Sequence, residues 1–117
     1  MSSSVLCDKS KAFSNRVIAC CRVLKDRKVE FQLIDQLLRA GTSVGANIAE
    51  AKYANGTKDF VYKLRIALKE INEVEFWLES LFTAHSITEK EYSSMRSDAI
   101  AIRRMLSASI RKLENKQ

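Results

Sequence analysis

The chain has 117 residues, 46% of them hydrophobic, with 20 Lys and Arg against 14 Asp and Glu for a formal net charge of +6. That length fits one domain with an ordinary core, while the lack of proline and the presence of only three glycines exclude a fold of short strands and tight turns. Cys7, Cys20 and Cys21 stand at no metal-ligand spacing and exclude a disulfide framework. They read as reduced thiols of a cytoplasmic protein, with Cys20 or Cys21 packing as a small hydrophobe. The N-terminus lacks the apolar run of a signal peptide, and no stretch approaches the roughly 18 apolar residues of a membrane span, so no membrane role is expected.

Taken in order, residues 1–7 read as a loose tail. A first helix runs from Asp8 to Asp26, with Phe13, Val17, Cys20 or Cys21, and Leu24 recurring at helical spacing. After a charged turn, Lys25-Asp26-Arg27-Lys28, a second helix spans Glu30 to Tyr53, with Phe31, Ile34, Leu38, Gly41, Gly45 and Ile48 expected inside. Within it the segment from Arg39 to Glu50 is unusual. Gly41, Gly45 and Ala49 recur every four residues and form a smooth ridge for a neighbouring backbone, whereas Arg39, Ser43, Asn47 and Glu50 make a polar stripe expected to bond to a facing helix.

Asn55-Gly56 breaks the chain, and Thr57 is placed to cap the third helix, Lys58 to Ala84. Phe60, Leu64, Ala67, Ile71, Val74, Leu78 and Leu81 hold a seven-residue repeat there, the pattern of a helix packed at a shallow angle along its length. Leu68, Phe76, Trp77 and Phe82 fall off that seam; together they predict an apolar patch and a homo-oligomer. His85-Ser86-Ile87 forms the next turn. Thr88-Glu89-Lys90-Glu91 has the form of a capping box. A fourth helix continues to Glu114, with Tyr92, Met95, Ala99, Ile102, Leu106, Ile110 and Leu113 inward. Short loops between long helices force antiparallel neighbours. Residues 1–117 thus read as a single all-α domain, an up-down-up-down four-helix bundle.

Residues 34–113 also resemble a known family. The run Ser43-Val-Gly-Ala-Asn-Ile-Ala-Glu50, then Phe60, Ile66-Ala-Leu68, Glu73-Val-Glu75 and Met105-Leu-Ser-Ala-Ser-Ile-Arg-Lys-Leu113 is similar to the four helix bundle proteins encoded in bacterial 23S ribosomal RNA intervening sequences. The asparagine-isoleucine-alanine-glutamate core at 47–50 is its most specific part. The resemblance implies a small bacterial bundle that assembles into a ring, commonly a homopentamer. It also implies kinship with the accessory variability determinant of diversity-generating retroelements, a basic ring that works with a reverse transcriptase and RNA. The chain departs from the family in having Ala51 where glycine usually follows the motif, and Lys69-Glu70 where a glycine-serine pair is usual.

Little in the sequence carries catalysis. His85 lies in a turn with no partner at nucleophile or metal spacing, and a site needs convergent groups. Glu70, Glu73, Glu75 and Glu79 lack the Glu-x-x-His motif of metal carboxylate bundles and read as a solvated face. No enzyme activity, cofactor, metal or small-molecule substrate is expected.

Charge is more informative. In an antiparallel bundle one end collects residues 1–18, 48–66 and 101–117, which hold twelve bases and four acids, a net charge of +8. The bases are Lys9, Lys11, Arg16, Lys52, Lys58, Lys63, Arg65, Arg103, Arg104, Arg111, Lys112 and Lys116. A ring of such subunits would draw polyanions. The expectation is a non-catalytic oligomer that binds RNA, alone or with a nucleic-acid enzyme; the alternative is a structural protein–protein module with no nucleic-acid role. Finally, Arg39 should lie level with Asn72 and Glu73 in the antiparallel pair of the second and third helices, with Ser43 and Asn47 against Leu64 to Leu68 and the Gly41 and Gly45 ridge letting the two backbones close. That register predicts an Arg39–Glu73 ion pair that fixes it.

Overall fold

A computed structural model describes residues 3–115 of the chain as four helices: α1 (Ser3–Asp26), α2 (Phe31–Ala51), α3 (Thr57–Thr83) and α4 (Glu89–Asn115). They form an elongated up-down-up-down bundle measuring 47 × 21 × 19 Å. Each helix packs along its sequence neighbour, and α4 returns to close the bundle against α1 through a much lighter seam.

The periodic positions become one continuous core. On α3, Leu64, Ala67, Ile71, Val74, Leu78 and Leu81 are buried and Phe60 is half-buried. On α4, Met95, Ala99, Ile102, Leu106 and Ile110 are buried, with Tyr92 and Leu113 at the margin. Cys21, rather than Cys20, takes the core position between Val17 and Leu24. On α2 the buried face is Leu37, Ala40, Gly41, Val44, Ile48 and Ala51. That face is rotated from the one expected. Ile34 and Leu38 are half-buried, and Phe31 is 71% exposed.

Two other departures concern helix starts. Residues 1–7 are not a loose tail as a whole: α1 already runs at Ser3, and Leu6 is buried one heptad before Phe13. Residues 1–2 lie outside the described part. Thr57 does not cap α3 but opens it. Gly56 is the N-cap, with no side-chain cap bond, and Asp59 accepts the Asn55 N–H at 3.0 Å instead.

The capping box of α4 forms as the sequence implies. The Thr88 N–H donates to Glu91 Oε1 at 2.8 Å and the Glu91 N–H donates to Thr88 Oγ1 at 3.1 Å. α1 and α3 end in the left-handed closure that leaves the second residue past the helix at positive φ. Lys28 and His85 occupy those positions at φ 62° and 61°, and the next residues reach back, Val29 N–H to Leu24 O and Ser86 N–H to Leu81 O.

The glycine ridge is real, but its partner is α1. A Cβ at Gly41 would sit 2.6 Å from Val17 Cγ1, and one at Gly45 would sit 2.6 Å from Ser14 Oγ. Ser14 bridges the contact, donating to Gly41 O at 2.7 Å and accepting from the Gly45 N–H at 3.2 Å. Steps of four drift about 40° round a helix of 3.6 residues per turn. Gly41 is therefore buried, Gly45 half-buried and Ala49 exposed.

The same drift splits the polar stripe. Arg39 falls on the outer ridge of α2 with Gln32, Ala46 and Tyr53, all exposed, and among the described residues it makes no ion pair. The expected Arg39–Glu73 pair is absent: Arg39 is exposed and Glu73 half-buried, and the charge of Arg39 is felt on α3 by Glu70 instead. Ser43 and Asn47 satisfy each other within the helix, Asn47 Nδ2 donating to Ser43 O at 2.9 Å and to Ser43 Oγ at 3.0 Å. Glu50 crosses to α3 and takes Lys63 Nζ at 3.1 Å.

Candidate nucleic-acid interface

The basic end is built where α1 begins, α2 ends, α3 begins and α4 ends. Its twelve expected bases divide into three groups. Four are held by carboxylates. Arg16 donates to Asp98 Oδ2 at 2.7 Å and to Ser94 Oγ at 2.6 Å, Lys63 to Glu50, Arg65 to Glu114, and Arg103 Nε to Glu75 Oε2 at 2.7 Å. Lys116 lies outside the described residues. The other seven, Lys9, Lys11, Lys52, Lys58, Arg104, Arg111 and Lys112, are exposed and have no carboxylate within 4 Å among the described residues.

Sequence spacing alone could not make that division. Asp98 and Glu75 come from outside the basic segments, and reach Arg16 and Arg103 only because α4 packs between α1 and α3. The seven unengaged charges are free to meet a polyanion without first breaking an ion pair. Four engaged ones act instead as cross-links between helices.

The structure also adds two residues that the charge count missed. Tyr53, just beyond α2, is 85% exposed, and Tyr62, on the outer face of α3, is 60% exposed. Both stand among the unengaged lysines Lys52 and Lys58. Aromatic rings exposed beside cations are the surface chemistry on which nucleobases stack. The signal was present in the sequence, since Tyr62 falls off the α3 heptad, but tyrosine at a helix margin is equally common in a core.

Of the four residues of the expected apolar patch, one turns to α4 and three share a cleft. Phe82 stacks on Tyr92 of α4, with ring centroids 4.6 Å apart and planes at 4°. Leu68 and Trp77 are half-buried, and Phe76 alone of the four is strongly exposed, at 58%. Leu68, Phe76 and Trp77 do line one open cleft of about 620 Å³ on α3, shared with Gln36, Arg65 and Lys69.

Catalytic groups do not converge. Burial pushes the Cys21 thiol up to about 12, with Cys20 adding to the effect, and burial likewise raises Cys20. Both thiols stay protonated at neutral pH, which leaves them poor nucleophiles. His85 is exposed in the α3–α4 turn. Among the described residues no three His, Cys, Asp or Glu side chains cluster to hold a metal ion, and no helix is long and apolar enough to cross a membrane.

Residues 3–108 match the family described as 23S rRNA-intervening sequence protein. The chain belongs to that family. Among solved structures the chain is similar to the crystal structure of a protein with unknown function from the S23 ribosomal protein family of Bacteroides thetaiotaomicron, which is 42% identical, with a TM-score of 0.91 over 95% of this chain and 99% of that one. No curated protein matches. Within the motif at 47–50, Asn47 is engaged in bonds within α2 and Glu50 in a bond to α3.

Proposed function

We propose that this chain is a non-catalytic, oligomeric nucleic-acid-binding or scaffold protein of the bacterial cytoplasm, which holds RNA by its backbone phosphates at the basic end of the bundle. The observation that carries the reading is the set of seven exposed, carboxylate-free bases gathered at one end, with Tyr53 and Tyr62 beside them. A homopentamer, which the family resemblance implies, would present five such sets on one face and multiply their field. A reverse transcriptase or another nucleic-acid enzyme is the fitting protein partner.

A second reading, a structural module that binds protein, draws on the exposed Phe31 and Phe76. Salt separates the two, because each neutralised phosphate releases condensed counterions while an apolar interface does not.

The test is RNA binding by the parent and by a triple variant, Arg104→Glu, Arg111→Glu and Lys112→Glu, across a salt series. Binding by the parent should weaken steeply with salt. The variant should bind all RNA sequences more weakly and to the same degree, since phosphate contacts carry no base information. Equal affinity at low salt overturns the reading. Light scattering should give a multiple of the 13.3 kDa chain mass, and a monomer at micromolar concentration removes the oligomer from it.

A further inference from the structure

The outer ridge of α3 carries a pattern that the core does not use and that the ion pairs use only at Arg65. Lys58, Tyr62, Arg65, Lys69, Asn72 and Phe76 follow one another at steps of four and three, and all six are exposed. Three cations and two aromatics therefore share a single line, which runs from the basic end past the middle of α3. Tyr62 and Phe76 are fourteen residues apart, about 21 Å along the axis at 1.5 Å per residue. The line ends in the cleft of about 620 Å³.

That cleft has two kinds of wall. Phe76 and Trp77 form an edge-to-face pair with centroids 4.9 Å apart and planes at 83°, which leaves the Phe76 ring largely open to solvent. The cleft lining also holds the cations Lys69 and Arg65 and the hydrogen-bonding groups of Gln36, Asn72 and Glu73. Arg65 is already held by Glu114 of α4, which fixes its guanidinium in place, while Lys69 makes no ion pair among the described residues. A flat ring that carries a phosphate and polar edge groups matches this lining. The Glu73 carboxylate repels phosphate and accepts N–H groups, so it belongs with the base edge.

We infer that the outer ridge of α3 is a track for single-stranded nucleic acid, with an unpaired base stacked on Phe76 in the Trp77 cleft. This deepens the phosphate-binding reading and rests on it. A duplex could satisfy the lysines, but its bases are stacked on one another and offer no free face to Tyr62 or Phe76; only an unpaired strand uses both cations and rings.

Trp77 is the sole tryptophan, so its emission reports on the cleft directly. The experiment titrates the full chain with a mixed-sequence single-stranded RNA 12-mer and with the same sequence as a duplex, at matched salt. The single strand is expected to quench Trp77 saturably and to bind more tightly than the duplex. A Tyr62→Ala, Phe76→Ala double variant should lose about thirtyfold or more in affinity for the single strand and keep its affinity for the duplex. Both rings are exposed, and an unchanged helical circular dichroism spectrum and melting temperature would show that the variant folds.

If RNA binds without quenching Trp77, or the double variant binds both forms like the parent, the track is wrong and the phosphate reading survives. If the parent binds neither form, both fail. If Phe76→Ala changes the molecular mass by light scattering while RNA affinity is constant, this face is an interface between copies and the inference is overturned.

Discussion

Against α2, helix α1 rests on two glycines; against α4, it is spanned by arginines. On the α2 side Val17 and Ser14 meet bare backbone at Gly41 and Gly45, and the Ser14 hydroxyl bonds to both glycines. On the α4 side the seam is open, with shallow hollows of about 210 and 230 Å³ around Cys20 and Lys9. Arg16 spans it to Ser94 and Asp98, and Arg27 spans it to Ser86 and to both oxygens of Glu91, at 2.9 and 2.8 Å. The difference teaches that one helix can be fixed on one side by shape and on the other by charge. The two sides should then respond to different perturbations.

The largest effect is expected from Gly41→Ala. Its methyl would lie 2.6 to 2.9 Å from three atoms of Val17, which is fully buried and, being β-branched, has little rotamer freedom in a helix. Alanine favours the helix itself by roughly 1 kcal/mol. Overpacking nonetheless should leave a net loss of about 1–3 kcal/mol in urea unfolding. A neutral alanine would mean that α1 can move off α2 freely, and the contrast drawn above would collapse.

Ser14→Ala should cost less, about 1 kcal/mol, because the hydroxyl is a single net hydrogen bond and both glycine backbone groups keep their helical partners. Thermal melting of the pair Ser14→Ala and Gly45→Ala, alone and together, would sharpen the point. Gly45→Ala clashes with the Ser14 hydroxyl, so removing that hydroxyl should relieve part of the damage.

The smallest effects belong to the open seam. Arg16→Ala should change stability by about 0–1 kcal/mol at low salt and by nothing measurable at high salt, since both partners are more than 40% exposed. At the other bridge, the Arg27 guanidinium and the Thr88 N–H hold the Glu91 carboxyl at about 2, below its ordinary 4.5. A folded-state value below the unfolded one gives stability that is complete above pH 4.5 and fades as pH falls towards 2. Melting temperatures should therefore fall more steeply between pH 4.5 and 2 in the parent than in Glu91→Gln. Parallel curves would show that the bridge does not form in solution.

The helices were legible in the sequence, but this contrast was not, and the reason is physical. Periodicity reports which face of a helix is buried, so the α3 heptad and the glycine ridge could be read directly. It does not report which neighbour that face meets, and the ridge was assigned to α3 when it packs on α1. Steps of four also drift round the helix, which is why Arg39 could seem continuous with Asn47 and yet sit on the outer ridge. Local chemistry fared better: Thr88 and Glu91 are three residues apart and bond as their spacing demands. The N-terminal extension of α1 was hidden because Ser2, Ser3 and Ser4 resemble a tail, although Leu6 continues the core spacing back from Phe13. At the candidate site, charge counting located the basic end but could not tell engaged bases from free ones. That needed Asp98 and Glu75, which only tertiary packing brings near.

The bridges across the α1–α4 seam also bear on the order of assembly. Arg16 and Asp98 are 82 residues apart and Arg27 and Glu91 are 64 apart, whereas the α1–α2 and α2–α3 hairpins form from contacts close along the chain. Closing the longest loop carries the greatest entropic cost, so that seam is the last to zip. Contacts made after the rate-limiting step leave the speed of folding unchanged and slow its reversal. Arg27 and Glu91 therefore set how long the native state lasts more than how quickly it is reached.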